Sequence, residues 1–180
     1  MNIFVLDEDP HAIARHYCDL HLRKMMIEYV QMMCTAYRMS VGNKHIIEGR
    51  KNGVWLLPGE TYAFDDNNKL ITSSNLYLNT HENHPCNKWV RESASNFEWL
   101  NGLVWSMGHE YFNRFGKRHT SCIIREKLRG MRNPHNYLPC IGLTPWQQVM
   151  PDEYKSENTV SAYRRYYAAK LKDFKKRGLL

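Results

Sequence analysis

Several absences narrow what this 180-residue chain can do. No apolar run reaches the roughly 20 residues that a membrane-spanning helix needs. The opening Met1-Asn2-Ile3-Phe4-Val5-Leu6-Asp7 has no basic segment ahead of its apolar residues and meets an acid at position 7. It therefore does not read as a secretory leader. There is no Gly-x-x-x-x-Gly-Lys-Ser/Thr loop and no Gly-x-Gly-x-x-Gly turn, which argues against a kinase or a dinucleotide enzyme. A Gly-x-Ser-x-Gly nucleophile elbow is also missing. The five cysteines (Cys18, Cys34, Cys86, Cys122, Cys140) are odd in number, widely spaced and without a Cys-x-x-Cys pair. That usage reads as reduced thiols in a cytoplasm rather than a disulfide framework. Repeats and low-complexity tracts are absent as well.

What is present is a basic, aromatic-rich chain. The formal net charge is +7. It favours an anionic partner, nucleic acid before acidic protein, with a merely basic surface as the plainer alternative. The length suits one domain with a sizeable core, 1–180, and no obligate protein partner is evident.

The hydrophobic pattern is mainly helical. Residues 2–6 form a short apolar run, either a strand or a buried extended start. Asp9-Pro10 has the cap acid and first-turn proline of a helix N-terminus. From there Ile13, Tyr17, Leu20, Met25, Tyr29, Met32, Met33 and Tyr37 recur at helical spacing, as one long helix or two in succession ending before Val41-Gly42-Asn43. Residues 43–90 read as a loop-rich insertion, with a hairpin as one option. A helix capped by Ser93 or Ser95 carries Phe97, Leu100, Leu103, Val104, Met107, Tyr111 and Phe112 towards a stop at Gly116. A shorter helix covers 120–130, and prolines 134, 139, 145 and 151 mark loops. A basic, aromatic helix closes the chain over about 158–177. The expected fold is mainly α: a compact single-domain helical fold with a short N-terminal extended segment and long loops.

The segment from Asp19 to Glu28 carries the sharpest chemical signal. On a helix His21 and Glu28, seven residues apart, point nearly the same way, with Met25 between them and Met26 and Tyr29 widening the face. An imidazole and a carboxylate on an apolar stripe conflict with core packing, so each needs a partner or a functional reason. The plainer alternative puts Asp19 and His21 at the helix edge and Glu28 in a salt bridge. Near the C-terminus, Tyr163, Arg164, Arg165, Tyr166, Tyr167 and Lys170 interleave rings that can stack on bases with cations that can meet phosphate. Equally, the tyrosines can dock into the core and leave a solvated basic face. Glu110 and Arg114 form an i,i+4 pair beside His109, Lys117 and His119, either a surface salt bridge or the lining of a polar cleft. His81, His84, Cys86, His109, His119, Cys122, His135 and Cys140 are metal-ligand types, but their spacing fits no zinc-finger or zincin pattern. No metal or other cofactor is expected.

Taken together, several of these pieces resemble the pyrimidine-dimer DNA glycosylase family, the endonuclease V type of phages and bacteria. Asp19-Leu20-His21-Leu22 followed by Glu28 is similar to that family's Asp-x-His-Leu helix, in which the glutamate six residues after the leucine is catalytic. Asn83-His84-Pro85 is similar to an Asn-His-Pro of its bacterial branch. Glu110-x-x-x-Arg114-Phe115-Gly116 is similar to its Glu-x-x-x-Arg-Gly helix end, and the tyrosine-arginine run to its terminal aromatic patch near DNA. The order along the chain is the same. The family is shorter, so residues 43–80 and 120–155 read as insertions.

The resemblance implies a helical enzyme that bends duplex DNA, exposes a damaged or modified pyrimidine nucleotide, and attacks its sugar with an N-terminal amine. Glu28 would be the acid/base, with His21 and Asp19 orienting it or binding sugar-phosphate. The family starts Met-Thr-Arg and exposes threonine. Here the second residue is Asn2, so methionine is expected to stay and the amine falls on Met1, with Lys24 as a substitute. Arg23, His84, Arg114, Lys117, Arg164, Arg165 and Lys170 would meet phosphate, and Tyr166 and Tyr167 would support a base. The setting implied is a host cytoplasm, for a phage-encoded protein. Two other readings stand beside this one. One is a transferase that builds a hypermodified thymine in phage DNA without a free amine or strand cleavage. The other is a non-enzymatic basic nucleic-acid-binding protein.

Overall fold

The computed structural model describes residues 1–48 and 53–180. Of the described residues 55% are helical, and the fold is mainly α as the periodicity indicates. Helix α1 (Pro10–Ile13) starts on the Asp9 carboxylate, which accepts from the His11 amide at 2.9 Å, and Pro10 fills the first turn. A 3₁₀ turn over Ala14–His16 follows. The chain breaks at Tyr17-Cys18, and α2 (Asp19–Val41) then runs for 23 residues. The pattern of apolar residues is thus two helices in succession. Helix α2 stops one residue later than expected, at Val41, and the crowding at Gly42 explains why. A Cβ there would lie 2.5 Å from the Leu56 carbonyl oxygen and 2.6 Å from that of Arg38. Only glycine lets the next strand come this close to the helix end.

Residues 43–90 hold more order than their composition announces. Strands β1 (Asn43–His45) and β2 (Val54–Leu56) pair antiparallel, as do β3 (Tyr62–Phe64) and β4 (Leu70–Thr72). Helix α3 (Pro85–Glu92) then forms with His84 as its cap. Two hairpins and a helix thus replace the expected loops; residues 49–52 of that stretch lie outside the described residues. Helix α4 (Ala94–Phe115) is capped by Ser93 and stopped by Gly116 in the left-handed region at φ 64°, where glycine carries no Cβ penalty. Helix α5 (Thr120–Met131) and helix α6 (Thr159–Lys176) complete the order.

The core is organised around α2, which packs against α3, α4 and α5. Residues 2–6 are a buried extended segment that joins no sheet. Tyrosine hydroxyls stand in for a strand partner: Phe4 donates its N–H to Tyr29 Oη (3.2 Å), and Tyr17 donates to the Phe4 carbonyl (3.2 Å). The two hydroxyls meet at 2.6 Å. Arg164 of α6 donates to the Leu6 carbonyl at 2.7 Å. The long connection between α5 and α6 is tied down by Asn96, whose amide donates to Thr144 Oγ1 (2.7 Å) and accepts from the Thr144 amide (2.9 Å).

A smaller cluster of Ile47, Val54, Leu56 and Leu70 lies under the hairpins, and Arg38 holds this part to α2. Its guanidinium is wholly buried and faces Glu60 in a bidentate pair (2.6 and 2.9 Å). It also donates to the Trp55 and Tyr77 carbonyls, both at 2.8 Å. Burial alone would raise the Glu60 pKa. The Arg38 guanidinium, the Ser74 and Thr72 hydroxyls and the Leu57 amide outweigh it and hold the carboxyl at about 2. Such a pair is costly to break because the survivor is left as an uncompensated buried charge. Arg38→Ala or Glu60→Gln is therefore expected to lower the unfolding free energy by about 3–5 kcal/mol, measured by urea denaturation. The double variant should cost less than the sum of the two. Because the folded-state pKa of Glu60 is depressed, its contribution is present above the unfolded carboxylate pKa and is lost as pH falls towards 2.

Candidate functional site

Glu28 sits midway along α2, and its side chain is 15% exposed. A glutamate this enclosed needs a cation. Two are supplied. The Met1 α-amine lies 3.5 Å from Oε2, and Lys24 Nζ lies 3.6 Å from Oε1, one turn back on α2. Lys24 is largely in solvent, whereas the Met1 side chain is almost fully buried. Among the described residues Oε2 has no hydrogen-bond partner, so its lone pairs face the amine at ion-pair distance and remain open.

The amine is held there by the residue that follows it. Asn2 donates to the Val149 carbonyl at 2.6 Å, and its side-chain oxygen accepts from Tyr163 Oη at 2.9 Å. Beyond Asn2, the chain enters the buried segment of residues 3–6. The position of the α-amine is thus set by α6, by the 132–158 connection and by the core together.

The start of α3 forms another wall. His84 Nδ1 accepts from the Cys86 amide at 3.2 Å as the helix cap. The neutral ring therefore carries its proton on Nε2, as a donor. Burial first, then the Met1 ammonium and His81, lower the His84 pKa, while Glu28 pulls the other way. Asn87, one turn along, is wholly buried. Its amide nitrogen donates to the Thr80 and His81 carbonyls (2.7 and 3.2 Å), and its Oδ1 has no partner. An amine, a carboxylate with open lone pairs and a neutral imidazole form a set that can take a proton from an ammonium and present a nucleophile.

Not every residue singled out in the sequence joins this set. His21 lies in an aromatic cage, stacked on Phe4 at 5.1 Å, with Tyr167 at 5.2 Å and Phe174 at 4.9 Å. Its Nδ1 has no hydrogen-bond partner, and burial, with Lys170 and Lys24 nearby, pushes its pKa down to about 4. Asp19, the first residue of α2, pairs with Arg114 at 3.0 Å instead of turning to Glu28. Arg114 also bonds Glu110 (2.7 Å) and the Tyr17 carbonyl (2.7 Å), so it fastens α4 to the start of α2. Arg164 is committed to Leu6 and Asp7. Arg23 lies over the Phe115 ring at 4.4 Å, and Lys117 is exposed just past α4. Arg165 is exposed and donates to the Tyr154 carbonyl. Tyr167 is buried, where it accepts from the Cys18 amide. Tyr166 stacks on Phe4 at 6.1 Å with Lys170 Nζ over its ring at 4.9 Å.

Sequence reasoning missed Asn2 as an anchor and Asn87 altogether, and it named Tyr163 for base stacking or core docking without its bond to Asn2. Asn87 stands three residues after His84, a helical spacing that would have flagged it had α3 been recognised. Among the described residues no three His, Cys, Asp or Glu side chains converge to hold a metal ion, and all five cysteines are free thiols. No described helix is long and apolar enough to cross a membrane. No protein-family model, no curated protein and no solved structure matches this chain.

His21 has a measurable signature. Its folded-state pKa is depressed, so it stabilises the fold fully above the unfolded value of about 6.5 and loses that contribution as pH falls towards 4. His21→Phe, which suits the cage, is expected to flatten the fall in unfolding free energy between pH 6.5 and 4. Urea melts across that range check it.

Proposed function

We propose that this protein processes a damaged or modified pyrimidine in DNA as a glycosylase and lyase, with the Met1 α-amine as nucleophile and Glu28 as its acid/base. The observation that supports this most is the 3.5 Å separation between the amine and a mostly enclosed carboxylate whose nearest oxygen is otherwise unbonded. An α-amine has an ordinary pKa of about 7.7–8.0, which makes it a usable nucleophile near neutral pH. The resemblance of the Asp19–Glu28 helix to the pyrimidine-dimer glycosylases supports the same assignment.

In this reading the amine loses a proton to Glu28 and attacks C1′ of the exposed nucleotide. The C1′–N bond to the base breaks, and the base leaves with its bonding pair and takes up a proton. Opening of the sugar ring gives a C1′=N imine to Met1. Loss of a C2′ proton then expels the 3′ phosphate, with its bonding pair, from C3′. Glu28 is close enough to serve as the base at the amine, and the neutral His84 offers an N–H donor beside it. Lys24 is the alternative amine, but it lies in solvent. DNA as partner is supported by the net charge of +7 and by exposed Arg165, Lys172, Lys175 and Lys176 along α6.

The test is borohydride trapping on duplexes that carry an abasic site, a thymine dimer or 5-hydroxymethyluracil. Hydride reduces the imine to a stable amine and leaves a covalent protein–DNA adduct. The wild type is expected to trap on at least one duplex, with the adduct mapping to Met1, and Glu28→Gln should trap at least 100-fold more slowly while still binding DNA. Mapping to Lys24 would move the nucleophile. Tight binding with no adduct on any duplex would overturn the lyase mechanism in favour of base transfer without cleavage or of plain DNA binding.

A further inference from the structure

A second concave site lies between α4 and α5 and shares no residue with the Met1–Glu28 site. It is a groove of about 480 Å³, within the 300–1,000 Å³ typical of small-molecule pockets. Its floor is made by a close crossing: a Cβ on Gly108 would sit 2.9 Å from the Cys122 sulfur, so glycine is what lets α5 approach here. One wall is Trp105, half-exposed although large and apolar. His109 packs against its ring at 4.2 Å, and the edge of His11 meets it at 5.7 Å. The indole is therefore braced on the protein side and presents its remaining surface to the groove. Phe112, 56% exposed, extends that surface by about two turns of α4.

The charged groups in the groove leave a positive surplus. Glu126 is taken by Arg118, and Glu98, the next acid on α4, is taken by Arg129. Arg125 has no such carboxylate. Its Nε is fixed by Asn101 Oδ1 at 2.7 Å, its terminal nitrogens make no hydrogen bond among the described residues, and the side chain lines the groove. Burial first, then Arg129, work against its charge and outweigh the opposing pull of Cys122, Glu126 and Glu98, so a bound anion would favour it. A guanidinium oriented at Nε and free at both Nη atoms is suited to two-point recognition of phosphate.

We propose that this groove binds a nucleoside monophosphate unit, its base stacked on Trp105 beside Phe112 and its phosphate held by Arg125. The chemistry fits a free nucleotide and the phosphorylated terminus of a strand alike. Neither source requires the amine chemistry at Glu28, so the two sites stand or fall separately.

Calorimetric titration with adenosine 5′-monophosphate, adenosine and inorganic phosphate tests it on the wild type, Trp105→Ala, Arg125→Gln and Glu28→Gln. Saturable binding of the monophosphate is expected. Trp105→Ala should weaken monophosphate and nucleoside alike by at least tenfold. Arg125→Gln should weaken the monophosphate by at least tenfold and leave adenosine nearly unchanged, and Glu28→Gln should bind like the wild type. Displacement of the monophosphate by a 5′-phosphorylated oligonucleotide would assign the site to a strand terminus; persistence would assign it to free nucleotide. No saturable binding at millimolar monophosphate, or equal affinity in the Trp105 and Arg125 variants and the wild type, would overturn the proposal. Both substituted side chains are on the surface or rim, and matching thermal melts confirm that the variants are folded.

Discussion

The position of the first residue depends on how residues 2–6 are buried. An extended segment outside any sheet leaves its backbone N–H and C=O groups without partners, which is costly away from water. Here Tyr29, Tyr17 and Arg164 satisfy Phe4 and Leu6, and the side chains of Ile3, Phe4, Val5 and Leu6 are all buried. Burial keeps both tyrosines protonated by raising their pKa values, so they remain hydroxyl donors over the whole neutral range. Three separate parts of the chain (α2, α6 and the break at Tyr17 before α2) thus converge on five residues. The α-amine at their end is placed with the precision of a core group rather than that of a fraying terminus.

Helix α2 carries two ionisable groups of opposite fate ten residues apart. Arg38 is saturated: a bidentate carboxylate, two hydroxyls and backbone carbonyls account for its donors. It is a structural clamp, and it sets where the hairpins sit. Glu28 is the reverse, with one oxygen at ion-pair distance from an amine and otherwise unbonded. Under-bonded polar groups in enclosed positions are expected where chemistry requires a free lone pair. That contrast on a single helix favours Glu28, rather than Arg38, as a reacting group.

Much of the helical frame was legible from apolar spacing, and α1 and α4 were marked by their caps as well. Asp9-Pro10, Ser93, Gly116 and the 120–130 helix all hold. Beyond one hairpin left open as a possibility, the strand pairs and α3 were not legible. Three-residue strands carry no measurable alternation, and β1 and β3 are exposed throughout. Helix α3 is only eight residues long and is capped by a histidine, a weak signal beside serine or aspartate. At the site, the Glu28 conflict was readable as an acid on an apolar stripe, and a cation does answer it. The assignment of His21 to the same face was geometrically sound, yet a helix face spans several neighbours. Phe4, Tyr167 and Phe174 enclose His21, while Met1 meets Glu28. Which neighbour meets which side chain depends on tertiary packing of segments distant in sequence, and no local pattern encodes that. The same holds for Arg38, whose partner Glu60 lies 22 residues on, past β1 and β2.

The central claim is that the core places the Met1 α-amine at Glu28 for reaction. It is tested most directly by adding a single glycine before Met1. One residue moves the α-amine by up to about 3.8 Å and leaves residues 2–6 and their partners intact. Rates of borohydride-trapped adduct formation would be compared between the two forms, alongside their thermal melts. The account predicts an unchanged fold and loss of trapping by at least two orders of magnitude in the extended form. Equal trapping by both forms would contradict it, because the reacting amine would then not be the one held at Glu28.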